Sequence, residues 1–143
     1  MPESPRAARV AELPRAARIA ELIDAFNNRC FEEYVAGFHD DAVIEYPQSG
    51  ERIEGSARML GIFRAFAAAP TFEAWRIDGS ADLAVLHAIV RYPGGDALFA
   101  TLEYQFSGDR VRRETAYFAA PFEPAGWRAP FARVASFAGT SPA

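Results

Sequence analysis

The stretch from Ala97 to Ala120, ALFATLEYQFSGDRVRRETAYFAA, constrains the fold more than any other part of the chain. Two runs rich in strand-forming residues, Leu98 to Phe106 and Val111 to Phe118, flank a Ser107-Gly108-Asp109-Arg110 corner. That pattern predicts an antiparallel hairpin with a two-residue turn at Gly108-Asp109. In an unbroken ladder across this turn, Glu103 stands opposite Glu114. Facing carboxylates repel, so a purely structural sheet avoids the arrangement unless both reach water or a function requires them.

The segments before the hairpin divide into helices and then strands. From Pro14, the apolar positions Ile19, Leu22, Ile23, Phe26 and Cys30 follow helical spacing to about Arg29. Phe31, Tyr34, Val35 and Phe38 repeat the pattern over a shorter helix ending near His39-Asp40. Asp41 to Pro47 reads as a short strand, Gln48 to Glu54 as a polar loop, and Gly55 to Ala69 as a third helix stopped by Pro70. Thr71 to Asp78 and Leu83 to Tyr92 then join the hairpin in an antiparallel meander. Helices first and a meander afterwards is an α+β layout, a curved sheet packed against three helices with a cavity between them.

The ends read differently. PRAARVAEL (5–13) is repeated as PRAARIAEL (14–22), and a repeat of that length advances a helix by about 2.5 turns. The two copies therefore point to opposite sides of one rod, and Pro14 suits the first turn of the second copy. Residues 1–13 are expected to be a flexible extension, 14–137 a single domain and 138–143 a disordered tail. Pro121 to Val134, PFEPAGWRAPFARV, is too proline-rich for a central strand. Its Phe122, Trp127 and Phe131 are expected to pack back on the body, across a cavity mouth or against a second subunit.

Composition removes several function classes. A net charge of -4 with scattered arginines offers no basic footprint for nucleic acid. No apolar run approaches the ~18 residues of a membrane span, and no signal-peptide pattern opens the chain, so a cytoplasmic protein is expected. All 15 basic residues are arginine, which excludes a Schiff-base lysine, a pyridoxal-phosphate anchor and a phosphate-loop lysine. Cys30 is the lone cysteine, read as core packing, and His39 and His87 lack metal-ligand spacing. No cofactor and no metal are expected.

Phe38-His39-Asp40-Asp41-Ala42-Val43 leading into Glu45-Tyr46-Pro47, Gly55 opening a helix, and Ser107-Gly108-Asp109-Arg110-Val111 leading into Tyr117-Phe118 occur in a telling order. With these strings the chain, from about Ile19 to Phe131, resembles the nuclear transport factor 2-like superfamily, which includes SnoaL-like polyketide cyclases, ketosteroid isomerases and limonene epoxide hydrolases. Arg113-Glu114-Thr115, Pro121-Phe122-Glu123 and Trp127-Arg128 make it similar to a SnoaL-like subgroup. The resemblance implies a cone-shaped sheet and helices around an apolar pocket, often in a homodimer formed through the sheet. The residues depart from the family's mechanisms. The slot of the isomerase's proton-shuttling aspartate is Tyr46, and its oxyanion-hole aspartate falls on Leu102 or Glu103. Ala116, Ala119 and Ala120 occupy the region of the cyclase aspartate, and the epoxide hydrolase's arginine-flanked aspartate pair has no match.

The candidate catalytic residues are Tyr46, His87, Glu103 and Glu114. His87 would be the best general base near pH 7 if it faced the pocket, and two carboxyls sharing a cavity would share a proton. Trp75, Phe99, Tyr117, Phe118 and Trp127 are candidate wall or lid residues. Strand alternation leaves open which face of the hairpin lines the pocket, because one bulge swaps the parity beyond it. The expected function is binding of a small, mostly apolar carbonyl compound (aromatic, polycyclic or terpenoid), with cofactor-independent proton transfer as in an isomerase, cyclase or dehydratase. The alternative is a non-catalytic ligand-binding or dimerisation module.

Overall fold

The computed structural model describes residues 14–135. The N-terminal extension of residues 1–13 and the tail from residue 138 lie outside them. Helix α1 (Arg15–Asn27) and helix α2 (Phe31–Ala36) lead into strand β1 (Phe38–Tyr46) and the short strand β2 (Glu51–Glu54). Helix α3 (Ser56–Ala65) follows, then strands β3 (Thr71–Ser80), β4 (Leu83–Arg91), β5 (Ala97–Ser107) and β6 (Arg110–Ala119), and a single 3-10 turn over Gly126–Arg128. The six strands form one mixed sheet in the order β2-β1-β6-β5-β4-β3. Every neighbouring pair is antiparallel except β1 with β6, which is parallel.

The helices cover one face of this sheet, as the sequence predicts. Ile19, Leu22, Ile23 and Phe26 of α1, with Tyr34 and Val35 of α2 and Met59 and Phe63 of α3, meet the inward residues of the strands, among them Ile44, Leu86, Leu102 and Tyr104. Burying each large apolar side chain in such a core contributes roughly 1.5–3 kcal/mol. Two tight approaches fix the helices on the sheet. A Cβ on Gly79 of β3 would lie 2.8 Å from the backbone nitrogen of Ala16, so glycine lets the start of α1 touch the strand. Arg15 then donates to Asp82 Oδ1 at 3.0 Å and to the Ala81 carbonyl at 3.2 Å, with its guanidinium over the Phe106 ring.

Several boundaries differ from the sequence expectation. Helix α3 ends at Ala65 and not at Ala69, because Phe66 already takes an extended backbone conformation ahead of Pro70. Helix α2 stops at Ala36 because Phe38, although it continues the helical spacing, pairs with Val111 across the sheet, and the Val111 amide bonds the Gly37 carbonyl at 2.9 Å. His39 accordingly lies in β1, its Nε2 2.6 Å from the Ser107 carbonyl. The polar loop after β1 contains strand β2, an edge strand with a single buried residue, Ile53. Cys30 is half-buried at the start of α2 rather than inside a helix.

The end of α1 carries stored strain. The Arg29 amide bonds the Phe26 carbonyl and the Cys30 amide bonds the Ala25 carbonyl, both at 2.9 Å, which is a Schellman closure. That closure needs a left-handed residue, and Arg29 supplies it at φ 65° without being glycine. Its guanidinium offsets the cost by donating to the Ala69 carbonyl at 2.8 Å and the Pro70 carbonyl at 2.9 Å, tying α1 to the entrance of β3. Arg29→Ala loses both clamps and keeps the backbone strain, whereas Arg29→Gly loses the clamps alone. The glycine variant is therefore expected to be more stable than the alanine variant by about 1 kcal/mol, or about 4 °C in thermal midpoint for a domain of this size. Equal midpoints for the two variants would contradict the closure described.

Candidate functional site

The two-residue corner forms as predicted, with Ser107 opposite Arg110 and Gly108 at φ 66°. The ladder then slips: Phe106 faces Val111, but Gln105 faces Arg113, leaving Arg112 without a partner. This bulge moves every residue beyond it to the opposite parity. Tyr104 faces Glu114, and Glu103 faces Thr115. The expected Glu103–Glu114 pair is thus broken: Glu103 is exposed on the outer face, while Glu114 turns inward and is 3 % exposed.

Glu114 is held by tyrosines. The Tyr34 hydroxyl, from α2, donates to Glu114 Oε1 at 2.7 Å, and the Tyr34 and Tyr104 hydroxyl oxygens are 3.1 Å apart. Burial pushes the Glu114 carboxyl up to about 7, and the bonds from Tyr34 and Tyr104 pull against that rise without cancelling it. Burial, reinforced by Glu114, holds both tyrosines well above the usual phenol range, so they remain donors. Tyr46 shifts upward for the same two reasons. Its hydroxyl has no hydrogen-bond partner among the described residues.

Glu114, Tyr34 and Tyr46 line a cavity of about 380 Å³ between the helices and the inner face of the sheet, with Tyr104 behind the wall, a volume that suits a small molecule. Phe26 anchors its wall, with ring centroids of Phe31, Tyr34, Phe63 and Phe72 5.1–5.4 Å away in tilted or edge-on geometry. Two carboxamides fasten its rim to the backbone. Asn27 donates to the Phe72 carbonyl and accepts from the Phe72 amide, both at 2.8 Å. Gln48 makes the same pair of bonds with Phe118, both at 2.6 Å. Each amide completes a strand edge where no further strand pairs, and each thereby fixes a phenylalanine that faces the cavity. Gln48, Ser49, Glu51 and Tyr92 add polar groups to the lining, and among the described residues no arginine or histidine lines it.

Of the residues singled out from sequence, Tyr46, Glu114 and Phe118 meet in this cavity. His87 does not reach it. It lies on the outer face, with Nε2 3.1 Å from an Arg76 nitrogen, Nδ1 3.4 Å from Thr101 Oγ1 and its ring 5.3 Å from Trp75. A guanidinium only donates, so Nε2 is the acceptor and Nδ1 carries the proton. Trp75 is the extra residue of a second bulge, between Ala74 and Arg76. Tyr117 is also exposed on the outer side. Phe99 lines a separate hollow of about 700 Å³ beneath the C-terminal segment, which has no acid in its lining. Trp127 is 73 % exposed, and with Phe122 at 84 % and Phe131 at 87 % the segment does not fold its rings onto the body.

Tyr34 and Tyr104 were not among the sequence candidates. Both occupy apolar positions of their periodic patterns, where a tyrosine reads as core; a hydroxyl that must be satisfied in that core is the signal that marks them. Among the described residues, no three His, Cys, Asp or Glu side chains come together to hold a metal ion.

Known proteins place this arrangement. No curated protein gives a match to the sequence. Among solved structures, the fold is similar to a nuclear transport factor 2-like protein of unknown function from Burkholderia xenovorans, at 29% identity and TM-score 0.77, covering 82% of this chain and 92% of that one. It is also similar to a candidate ketosteroid isomerase from Kribbella flavida (22% identity, TM-score 0.76, 85% and 89% covered). A candidate SnoaL-like polyketide cyclase from Shewanella putrefaciens (14% identity, TM-score 0.64, 83% and 90% covered) shares the fold as well. The family model of the SnoaL-like domain matches residues 19–138, and the chain belongs to that family.

Proposed function

We propose that the inner cavity binds a small, mostly apolar carbonyl compound, aromatic, polycyclic or terpenoid, and moves a proton on the carbon next to the carbonyl without a cofactor. The observation that carries this reading is Glu114: a buried carboxyl with a pKa of about 7 on the wall of an aromatic cavity. A base poised near neutrality is at its most effective at neutral pH. As carboxylate, Glu114 takes the proton; the C–H electrons form a carbon–carbon double bond and the carbonyl oxygen gains negative charge. The free Tyr46 hydroxyl, on the same cavity wall, donates to that oxygen. In a β,γ-unsaturated ketone, return of the proton from Glu114 to the γ-carbon of the dienolate completes an isomerisation; where the ligand holds a second carbonyl, attack of the enolate carbon on it forms an alkoxide that takes the proton back from Glu114, completing a cyclisation. Tyr34 and Tyr104 hold the carboxyl in place and keep it from reaching for solvent.

Deuterium exchange at the α-carbon of a panel of steroid, terpenoid and aromatic ketones, followed by NMR, tests this reading. Exchange is expected to rise with pH through about 7 as Glu114 ionises. Glu114→Gln is expected to lower it at least about 100-fold, and Tyr46→Phe about 10-fold or more. Ketones that bind without any exchange would instead identify a non-catalytic binding module, the alternative favoured by the absence of the family's aspartates from the slots at Tyr46 and Ala116.

Stability carries an independent signature of the same carboxyl. A folded pKa near 7 against an ordinary value of 4.5 means that the folded state binds more protons than the unfolded chain between those values, so stability is lost as pH rises through this window. A carboxamide stays neutral and still accepts from Tyr34. Glu114→Gln is expected to equal the wild type near pH 4 and to exceed it by about 2–3 kcal/mol at pH 8, read from denaturant midpoints. A less stable variant at pH 8 would contradict the buried, strained carboxylate.

The outer face of the sheet supports pairing with a second copy of the chain. Trp75 and Tyr117 are exposed there, and the rings of Phe122, Trp127 and Phe131 project from the C-terminal segment; apolar surface of this kind marks an interface. Light scattering at micromolar concentration is expected to give the mass of two chains, and the mass of one would overturn the pairing.

A further inference from the structure

The charge of the inner cavity is one-sided. Among the described residues, half of its lining carries aromatic rings, its two charged side chains, Glu114 and Glu51, are both glutamates, and no arginine contributes to it although the chain holds 15 arginines and no lysine. Arg29, which bonds the Ala69 and Pro70 carbonyls, does not line it. Gln48 spends both ends of its amide on the Phe118 backbone, so it offers little to a ligand. A ligand entering here meets ring faces, the phenols of Tyr46 and Tyr92, and carboxylates.

Each element of that lining treats charge in the same way. The faces of phenylalanine and tyrosine rings are negative and attract a cation seated within about 6 Å. An ionised Glu114 in a dry wall lacks a countercharge, and a cation placed beside it would supply one; a full anion would meet the Tyr46 hydroxyl but no positive charge. A neutral ligand leaves the carboxylate without a countercharge in the same buried setting that raises its pKa.

We propose that this cavity selects a single positive charge on an otherwise apolar ligand, so that hydrophobic amines and quaternary ammonium compounds form a further ligand class, with the nitrogen seated beside Glu114 among the rings of Phe26, Tyr46, Phe72 and Phe118. The proposal rests on the cavity and the place of Glu114 in it, and not on proton transfer. Selection depends on pH through that carboxyl. The titratable groups facing it are Tyr34 from α2, Tyr104 from β5 and Tyr46 from β1, with Glu51 and Tyr92 also in the lining; the residues contributed by α1 and α3 (Ile23, Phe26, Ile62 and Phe63) are apolar. Tyr34, Tyr46 and Tyr104 stay protonated, so Glu114 is the group brought into the neutral interval.

Benzyltrimethylammonium and neopentylbenzene have the same shape and differ by the charge alone, which makes the pair a direct probe. Binding of each to the full chain is measured by NMR titration at pH 8.5 and pH 5.5, for the wild type and for Glu114→Gln. The cation is expected to bind at least tenfold tighter than its neutral isostere at pH 8.5, and to lose most of that advantage at pH 5.5 or in the variant. The pH series on the wild type stands even if the variant fails to fold. Equal or weaker binding of the cation at pH 8.5 overturns the proposal, as does an advantage that is the same at both pH values. Ketone exchange measured on the same samples separates the two readings: exchange without cation preference leaves proton transfer standing and removes this proposal, and cation preference without exchange does the reverse.

Discussion

A single unpaired residue, Arg112, decides which side chains of β6 face the helices. Without it, side-chain alternation would carry Glu114 to the outer face opposite Glu103, and the inner cavity would lack a buried acid. With it, Glu114 comes to lie between Tyr104 on one neighbouring strand and Ile44 on the other, beneath Tyr34 of α2. The bulge costs one ladder position near the turn, where the strands already separate. In return it places an ionisable group in the middle of the sheet, the part of the fold least able to move.

The cavity around that group is made stiff by polar groups outside it. Asn27 and Gln48 each bond both backbone groups of a cavity phenylalanine, and Arg29 fastens the end of α1 to the carbonyls just before β3. The rings of Phe26, Phe63 and Phe72 then interlock edge to face. Hydrogen-bonded rims and interlocked rings leave little freedom for the wall to collapse or for water to reach the carboxyl. The raised pKa of Glu114 follows from that dryness, so packing and acid chemistry are one property of the site.

The layout was legible in the sequence because it depends on periodicity and punctuation. Ile19, Leu22, Ile23 and Phe26 at helical spacing and Gly108-Asp109 between two strand-forming runs mark their elements unambiguously, whereas Pro70 overstated the third helix, which ends at Ala65. Phe38 misled because it satisfies two patterns, the last position of a helical stripe and the first buried position of a strand, and only the partner Val111 decides between them. The site was half legible. Tyr46 and Phe118 stand out as aromatic residues near strand ends and Glu114 as an acid within a strand, but Tyr34 and Tyr104, which hold Glu114, look like core. The placement of Glu103 and His87 hinged on strand parity, which a local bulge overrides without leaving a clear mark in composition. The exposed rings of Phe122, Trp127 and Phe131 have no cover within the described residues, so no reading of one chain in isolation accounts for them.

The central claim is that Glu114 is a buried acid that changes charge near neutral pH while the fold stays intact. Carbon-13 NMR of the side-chain carboxyl carbons, with the Glu114 signal assigned by its loss in Glu114→Gln, follows that proton directly from pH 4 to pH 9. The account predicts a Glu114 midpoint of about 7, separated from the other glutamates and accompanied by no change in the backbone spectrum. A midpoint below about 5, in the range of an ordinary exposed glutamate, would contradict it.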